Sequence, residues 1–126
     1  GLTARDLVVS ATVGELKAIE GSEPVEHAVQ LMAKHDFSQI SITQGQRLVG
    51  SLNESHLYQE LLKNSDVRQQ PVATIMQPAF PLVDISTPVE LLSTMITLDN
   101  PAVLVRDFKS EKTFIITRSD VIGVLC

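Results

Sequence analysis

The chain has 126 residues, 44% hydrophobic and 20% charged, enough apolar material for one compact unit or for two small ones sharing a core. A net charge of −5 and an aromatic content of 4% argue against nucleic acid, which asks for basic patches and stacking surfaces. No apolar run approaches the roughly 18 residues of a membrane helix, no signal or transit peptide is visible, and the lone Cys126 excludes an internal disulfide framework and fits a reducing cytoplasm.

Leu2 to Val13 mixes apolar and polar residues without clean periodicity, as a short helix or strand leading in from an upstream segment. The abrupt start at Gly1 and a helix-like run still open at Cys126 make the chain read as a fragment of something longer. Val13-Gly14-Glu15-Leu16 reads as a brief helical turn, and Ala18-Ile19 as a short strand. Pro24 suits a first helical position and Glu26 an acidic first turn. With Val25, Ala28, Val29, Leu31 and Met32 at 3–4 spacing, the pattern predicts an amphipathic helix over 24–35. Ile40 and Ile42 alternate with polar residues, Gln44-Gly45-Gln46 turns the chain, and Leu48 to Leu52 returns as the second arm of a hairpin. Asn53 can cap a helix through Leu57, Tyr58, Leu61 and Leu62.

Residues 63–72 form a polar joint, after which the pattern recurs. Ala73 to Met76 is another short turn, and Phe80–Val83 an extended piece. Thr87-Pro88-Val89-Glu90 combines a capping box with a first-turn proline, ahead of a buried stripe of Leu91, Leu92, Met95, Ile96 and Leu98. Ala102–Val105 is the next strand, Arg106–Lys112 a charged loop, and Thr113–Ile116 a last strand running into a helix over Val121–Leu125.

That last junction carries Thr117 and, three residues on, Asp120. Backbone N–H groups at such a helix start have no helical partner, so a phosphate or other polar group can settle there while Asp120 accepts from the paired hydroxyls of a ribose. The same two residues also satisfy a simple capping box, in which they serve only the helix. Spacing alone leaves both readings open.

The two halves superimpose. Pro24 matches Pro88, a shift of 88 − 24 = 64, and the same shift pairs Val25 with Val89, Glu26 with Glu90 and Ser55 with Ser119. Apolar positions follow: Leu31 with Met95, Ile40 with Leu104, Leu52 with Ile116, Leu57 with Val121 and Leu61 with Leu125, with no gap from the first helix onward. A period this long indicates a duplicated small domain, residues 1–66 and 67–126, rather than a solenoid. Each half is too small for a large core of its own, so the two are expected to pack sheet against sheet.

A doubled helix–strand–strand–helix unit ending in hydrophobic-Thr-x-x-Asp resembles a pair of CBS domains, the Bateman module, over nearly the whole chain. The resemblance implies an α/β (α+β) fold of two tandem βαββα CBS repeats related by pseudo-twofold symmetry. His35-Asp36-Phe37-Ser38-Gln39-Ile40, Val49-Gly50-Ser51-Leu52-Asn53-Glu54, Pro101-Ala102-Val103-Leu104-Val105 and Ile115-Ile116-Thr117-Arg118-Ser119-Asp120 together resemble the C-terminal regulatory region of bacterial cystathionine β-synthase. This implies a pyridoxal-phosphate enzyme upstream and an adenosine-containing effector (AMP, ATP or S-adenosylmethionine) in clefts between the repeats. On the matching positions, Thr117 would face the ribose or phosphate and Asp120 the ribose hydroxyls. Ile116 and Ser119 would line the cleft, Arg118 could meet a phosphate or carboxylate, and Phe37 and Gln39 would supply ring-stacking and polar contacts. Asn53 and His56 stand where the mirrored cleft has Thr and Asp, and imidazole is a poorer partner for a diol than a carboxylate. Pairs of this kind commonly form flat homodimers through their helices, which the apolar faces around Leu57–Leu62 and Val121–Leu125 would permit.

Other chemistry is poorly represented. His27, His35 and His56 are too spread to suggest a metal site, and Ser55 beside His56 cannot face it on a helix as a nucleophile faces its base. No Gly-rich phosphate loop occurs. Met32, Met76 and Met95 sit among aliphatics as core residues, and Phe37 has a core reading beside its ligand one. The expected function is a non-catalytic module that senses an adenosyl ligand and controls an attached catalytic domain. The alternatives are a ligand-free pair acting as a dimerisation element and a regulatory pair from a different parent protein.

Overall fold

A computed structural model describes residues 1–10 and 13–125, so Cys126 lies outside the described residues. In chain order they form α1 (Ala4–Ser10), β1 (Ala18–Glu20), α2 (Val25–His35), β2 (Gln39–Gln44), β3 (Arg47–Asn53) and α3 (Glu54–Lys63). Two 3-10 turns follow, Ser65–Gln69 and Val72–Thr74, then β4 (Leu82–Asp84), α4 (Val89–Met95), β5 (Ala102–Asp107), β6 (Lys112–Thr117) and α5 (Arg118–Leu125). The fold is mixed α/β with two three-stranded sheets, β1-β2-β3 and β4-β5-β6. In each sheet a parallel pair leads into an antiparallel hairpin.

Compactness divides the chain along a different line from the 1–66 and 67–126 repeats. Lys17–Ala79 form one unit, here the N unit; Phe80–Cys126 with Gly1–Leu16 form the other, the C unit. The N unit's core joins Ile40, Ile42 and Leu52 of the sheet to Val25, Ala28 and Met32 of α2 and Leu57 of α3. The C unit's core joins Val103, Val105 and Ile116 to Val89 and Leu92 of α4, Val121 of α5, and Ala4 and Leu7 of α1.

These cores revise the gapless pairing of the halves. Ile40 and Ile42 face their core as Val103 and Val105 face theirs, a shift of 103 − 40 = 63, whereas Leu52 and Ile116 keep 64. Ile40 therefore matches Val103, not Leu104. A one-residue slip exchanges the faces of a strand, so the pattern of core contacts decides the register. Two features absorb the slip. The β2–β3 hairpin turns through residues 45–46 and carries a bulge at Val49, whereas β5–β6 turns through residues 108–111.

The entrances to α2 and α4 differ from the expected side-chain capping. Pro24 and Pro88 are the residues flanking each helix rather than its first turn, and neither helix has a side-chain cap bond. The Thr87–Glu90 box does not form. A separate length of chain closes each entrance instead. In the N unit Val25 N donates to Gln70 O (2.8 Å), Val72 N to Glu23 O (2.7 Å) and Ala73 N to Gly21 O (3.0 Å). In the C unit Val89 N donates to Leu2 O (2.9 Å), Ala4 N to Thr87 O (2.8 Å) and Arg5 N to Ile85 O (2.9 Å). Residues 70–73 and 2–5 are thus equivalent clasps, which satisfy the orphan donors of a helix start with main chain. The stretch 63–72 is accordingly more than a joint, since Val67 and Val72 are buried in the N unit's core.

Other local expectations also shift. Gly14 to Leu16 are not a helical turn: Glu15 bridges to Phe114 beside β6. Arg106 and Asp107 belong to β5; α4 ends at Met95, which leaves Leu98 84% exposed, and Leu91, on the outer face of α4, is 52% exposed rather than buried. Asp107 anchors the C unit's clasp, with Arg5 at 3.6 Å. The hydroxyl of Ser110, then the Lys109 N–H and the nearby guanidinium, hold its carboxyl below the ordinary value of 3.8. The Ser86 hydroxyl and N–H hold Asp84 low in the same way.

Candidate functional site

Thr117 ends β6, opposite Ala102 on β5, and Ile116 before it is fully buried in the core. The strand thereby fixes where α5 begins. The Thr117 N–H donates to Asp120 Oδ2 (2.9 Å), and the Thr117 hydroxyl donates to the same oxygen (3.1 Å). Thr117 Oγ1 also lies 3.1 Å from Ser119 Oγ. Half of the capping box forms, on one oxygen: the Thr117 hydroxyl donates to Asp120, and among the described residues it accepts no N–H from α5. Asp120 is half-buried, and its Oδ1 has no hydrogen bond among the described residues. A carboxylate has about four acceptor positions, so a side chain oriented through Oδ2 still offers Oδ1. Capping and ligand binding do not compete for the same atom. Arg118 and Ser119 are exposed on the first turn of α5.

An identical spacing at Thr3-Ala4-Arg5-Asp6 escaped the sequence reading. There the Thr3 N–H donates to Asp6 Oδ2 (2.8 Å) and the Thr3 hydroxyl to the same oxygen (3.3 Å). The signal was present, a second Thr-x-x-Asp, but it was masked by the weak periodicity of the residues that follow.

The β3–α3 junction of the N unit is built differently. Asn53 Oδ1 accepts the His56 N–H (2.7 Å) as an N-cap, while Asn53 Nδ2 donates to Gln77 Oε1 (3.0 Å). His56 Nε2 lies 2.8 Å from the Ile75 carbonyl and 3.6 Å from Glu60 Oε1. A ring nitrogen that close to a carbonyl oxygen carries its proton, so Nε2–H is the donor. His56 is thereby turned away from any pairing with Ser55. Gln77 gave no sequence signal, because its contact is non-local.

Phe37 and Gln39 lie just before and at the start of β2. Phe37 is half-buried against the N unit's core, its ring 6.0 Å from that of His35 and 5.5 Å from Lys17 Nζ. The core reading of Phe37 therefore holds for its packed side. Gln39 is paired with Asn53 across the hairpin, and its Oε1 is buried without a partner. An unpaired buried acceptor costs about 1–3 kcal/mol, which a bound donor would recover. Of the remaining histidines, His27 meets Glu23 at 2.7 Å. Among the described residues no three His, Cys, Asp or Glu side chains are grouped to hold a metal ion.

Several cavities lie within the units, and two of them are the roomier. One of about 440 Å³ in the N unit is lined by Glu20, Thr43, Val49, Pro71, Ala73 and Met76. One of about 580 Å³ in the C unit is lined by Leu2, Thr3, Pro88, Val89, Val124 and Leu125. Neither contains an expected site residue. No helix of the described residues is long and apolar enough to cross a membrane.

No protein-family model and no curated protein matches the sequence. Solved structures do match. The CBS-domain protein ATU1752 from Agrobacterium tumefaciens is 16% identical, with 99% of this chain and 100% of that one covered and a TM-score of 0.82. The CBS domain pair of protein MJ0100, in complex with 5′-methylthioadenosine and S-adenosyl-L-methionine, is 17% identical over 99% of this chain and 100% of that one, with a TM-score of 0.73. The CBS-pair protein CBSX2 of Arabidopsis thaliana, in complex with AMP, is 23% identical over 99% and 96%, with a TM-score of 0.68. At such identities the likeness establishes the fold, that of a CBS-domain pair.

Proposed function

We propose that this chain is a regulatory module whose α5 start binds an adenosine-containing ligand, AMP, ATP or S-adenosylmethionine, and which controls an attached catalytic domain of the cystathionine β-synthase type. The stretches 1–66 and 67–126 are read as the two repeats of the pair. The observation that carries the proposal is the divided carboxylate of Asp120, with Oδ2 held by Thr117 and Oδ1 without a partner among the described residues. That geometry suits a ribose diol, which needs an acceptor already fixed in direction. The ligands named for the MJ0100 pair and for CBSX2 are of the same chemical class. Ser119 and Arg118 are exposed beside Asp120 and able to meet a phosphate or a ligand carboxylate. With its side chain in the core, Ile116 contributes main chain only. Within the N unit, Phe37 offers a half-buried aromatic face and Gln39 an unsatisfied acceptor.

Regulation follows as a population shift, in which a ligand favouring one arrangement of the module alters its contacts with the catalytic domain. The module itself carries no catalysis in this reading, and it works in the cytoplasm. Tyr58 and Leu62 on α3 and Ile122 and Leu125 on α5 are each at least half exposed. They suit a homodimer through the helices, and they also support the second reading, a pair that only dimerises.

Isothermal titration with AMP, ATP and S-adenosylmethionine separates the readings, since heat with none of the three leaves only dimerisation. Asp120→Ala is expected to weaken the ligand by about 1.5–3 kcal/mol, the value of a bond to a charged acceptor. Asp6→Ala removes the same cap from α1, costs about 1 kcal/mol of stability, and is expected to leave the affinity unchanged. Equal effects from the two variants would reduce Asp120 to a cap.

A further inference from the structure

The β3–α3 junction has the frame of a ligand site but is already occupied by its own chain. Asn53 uses its carbonyl on the His56 N–H and its amide on Gln77 Oε1, and His56 directs Nε2–H at the Ile75 carbonyl. Gln77 is no passing side chain. Its N–H donates to Ser51 O (2.8 Å), its carbonyl accepts from Ser51 N (2.9 Å), and the Ser51 hydroxyl donates to Pro78 O (2.6 Å). A Cβ on Gly50 would come within 2.8 Å of Met76 Cγ and 3.0 Å of Gln77 O, so glycine is what lets this strap lie against β3. Residues 75–78 are therefore pinned by main chain on one side and by the helix-start side chains on the other.

The C unit carries a strap at the corresponding place. Leu16 N donates to Thr113 O and Ile115 N to Gly14 O, so Gly14–Leu16 runs along β6 as 75–78 runs along β3. Gly14, opposite Ile115, stands where Gln77 stands opposite Ser51 and has no side chain to send to the helix start, and the counterpart of Ile75 lies outside the described residues. Across the hairpin from Asn53, Gln39 keeps a buried acceptor unpaired, as a polar site would.

We propose that Ile75–Pro78 is a built-in occupant of the α3 start, locked by His56 and Gln77, so that each chain takes one nucleoside ligand rather than two. This rests on the reading of Asp120 as a ribose acceptor. The groups of the lock are neutral amides, a carbonyl and a ring N–H already paired with one another, so a ribose hydroxyl that took one of them would leave its partner unsatisfied.

The test counts sites per chain by isothermal titration with AMP and with S-adenosylmethionine. The wild-type chain is expected to bind one equivalent, and the His56→Asp, Gln77→Ala variant two. Each single substitution is expected to expose the second site more weakly, so a folding defect in the double variant does not hide the result. Two equivalents in the wild type overturn the lock, as does a single equivalent in all three variants with their folds intact by circular dichroism; both outcomes leave Asp120 as the acceptor. No binding by any of them removes the Asp120 reading and this inference with it. Without ligand, nitrogen NMR of His56 is expected to show the Nε2–H tautomer, and the opposite tautomer overturns the lock directly.

Discussion

The β3–α3 and β6–α5 junctions share a frame and differ in what holds their side chains. Each takes a strand out of a buried hairpin, through Leu52 in one and Ile116 in the other, straight into a helix. Each is flanked by a strap bonded to the outer strand. In the N unit the strap reaches the helix start through Ile75 and Gln77; in the C unit Thr117 bonds to Asp120 Oδ2, and Oδ1 has no partner among the described residues. The fold supplies the position, and three or four side chains decide whether that position is open. A helix start becomes a site by what its neighbours leave unsatisfied.

Substitutions in the paired cores test how deep the equivalence goes. Leu52 and Ile116 are both fully buried at corresponding positions, so Leu52→Ala and Ile116→Ala are each expected to cost about 2–5 kcal/mol in urea unfolding. A cost below about 1 kcal/mol for either would break the match between the cores. A smaller effect is expected at Gly50, whose counterpart at a shift of 64 is Phe114, a core-packed ring. A Cβ on Gly50 would run into the Met76 side chain. That side chain can move aside, but the Gln77 carbonyl is held by Ser51. Gly50→Ala is thus expected to cost about 1–3 kcal/mol as overpacking, and adding Met76→Ala to recover only part of it. Full recovery would show that the strap backbone gives way.

The mildest contrast is with acid. Asp84 and Asp107 lie in the C unit with carboxyls held below the ordinary 3.8 by Ser86 and Ser110. A lowered folded-state value gives stability that is complete above the unfolded value and is lost as pH falls through the lowered one. Hydrogen exchange below about pH 4 is expected to open C-unit amides ahead of N-unit amides. Ser110→Ala should raise the Asp107 carboxyl toward its ordinary value in an NMR titration. Equal exchange in both units would remove this asymmetry.

Much of the frame was readable from the chain. Alternation at Ile40 and Ile42 marked β2, the 3–4 spacing from Val25 to Met32 marked α2, and Pro-Val-Glu at both 24 and 88 marked a duplication. Thr117 and Asp120 were readable as a pair, and their spacing already implied the cap that forms. What escaped was either cooperative or distant. Gly14–Leu16 has turn-like composition but is extended because β6 offers it an edge. The Thr87 box yields to a main-chain clasp, and the gapless pairing of Ile40 with Leu104 fails because hairpin length and a bulge at Val49 set register. The contact of Gln77 with Asn53 spans 24 residues and has no periodicity to betray it.

The sequence by itself determined that a βαββα pattern occurs twice and that its second copy ends in Thr-x-x-Asp, because both are local properties of side-chain period and spacing. Only tertiary structure decided which lengths of chain complete each unit: residues 70–73 close α2 and residues 2–5 close α4. Clasps of this kind are made of main-chain N–H and C=O groups, which every residue but proline carries alike. The straps too are held by main-chain bonds, and the contacts of Gln77 with Asn53 and of His56 with the Ile75 carbonyl exist only because the fold brings these residues together.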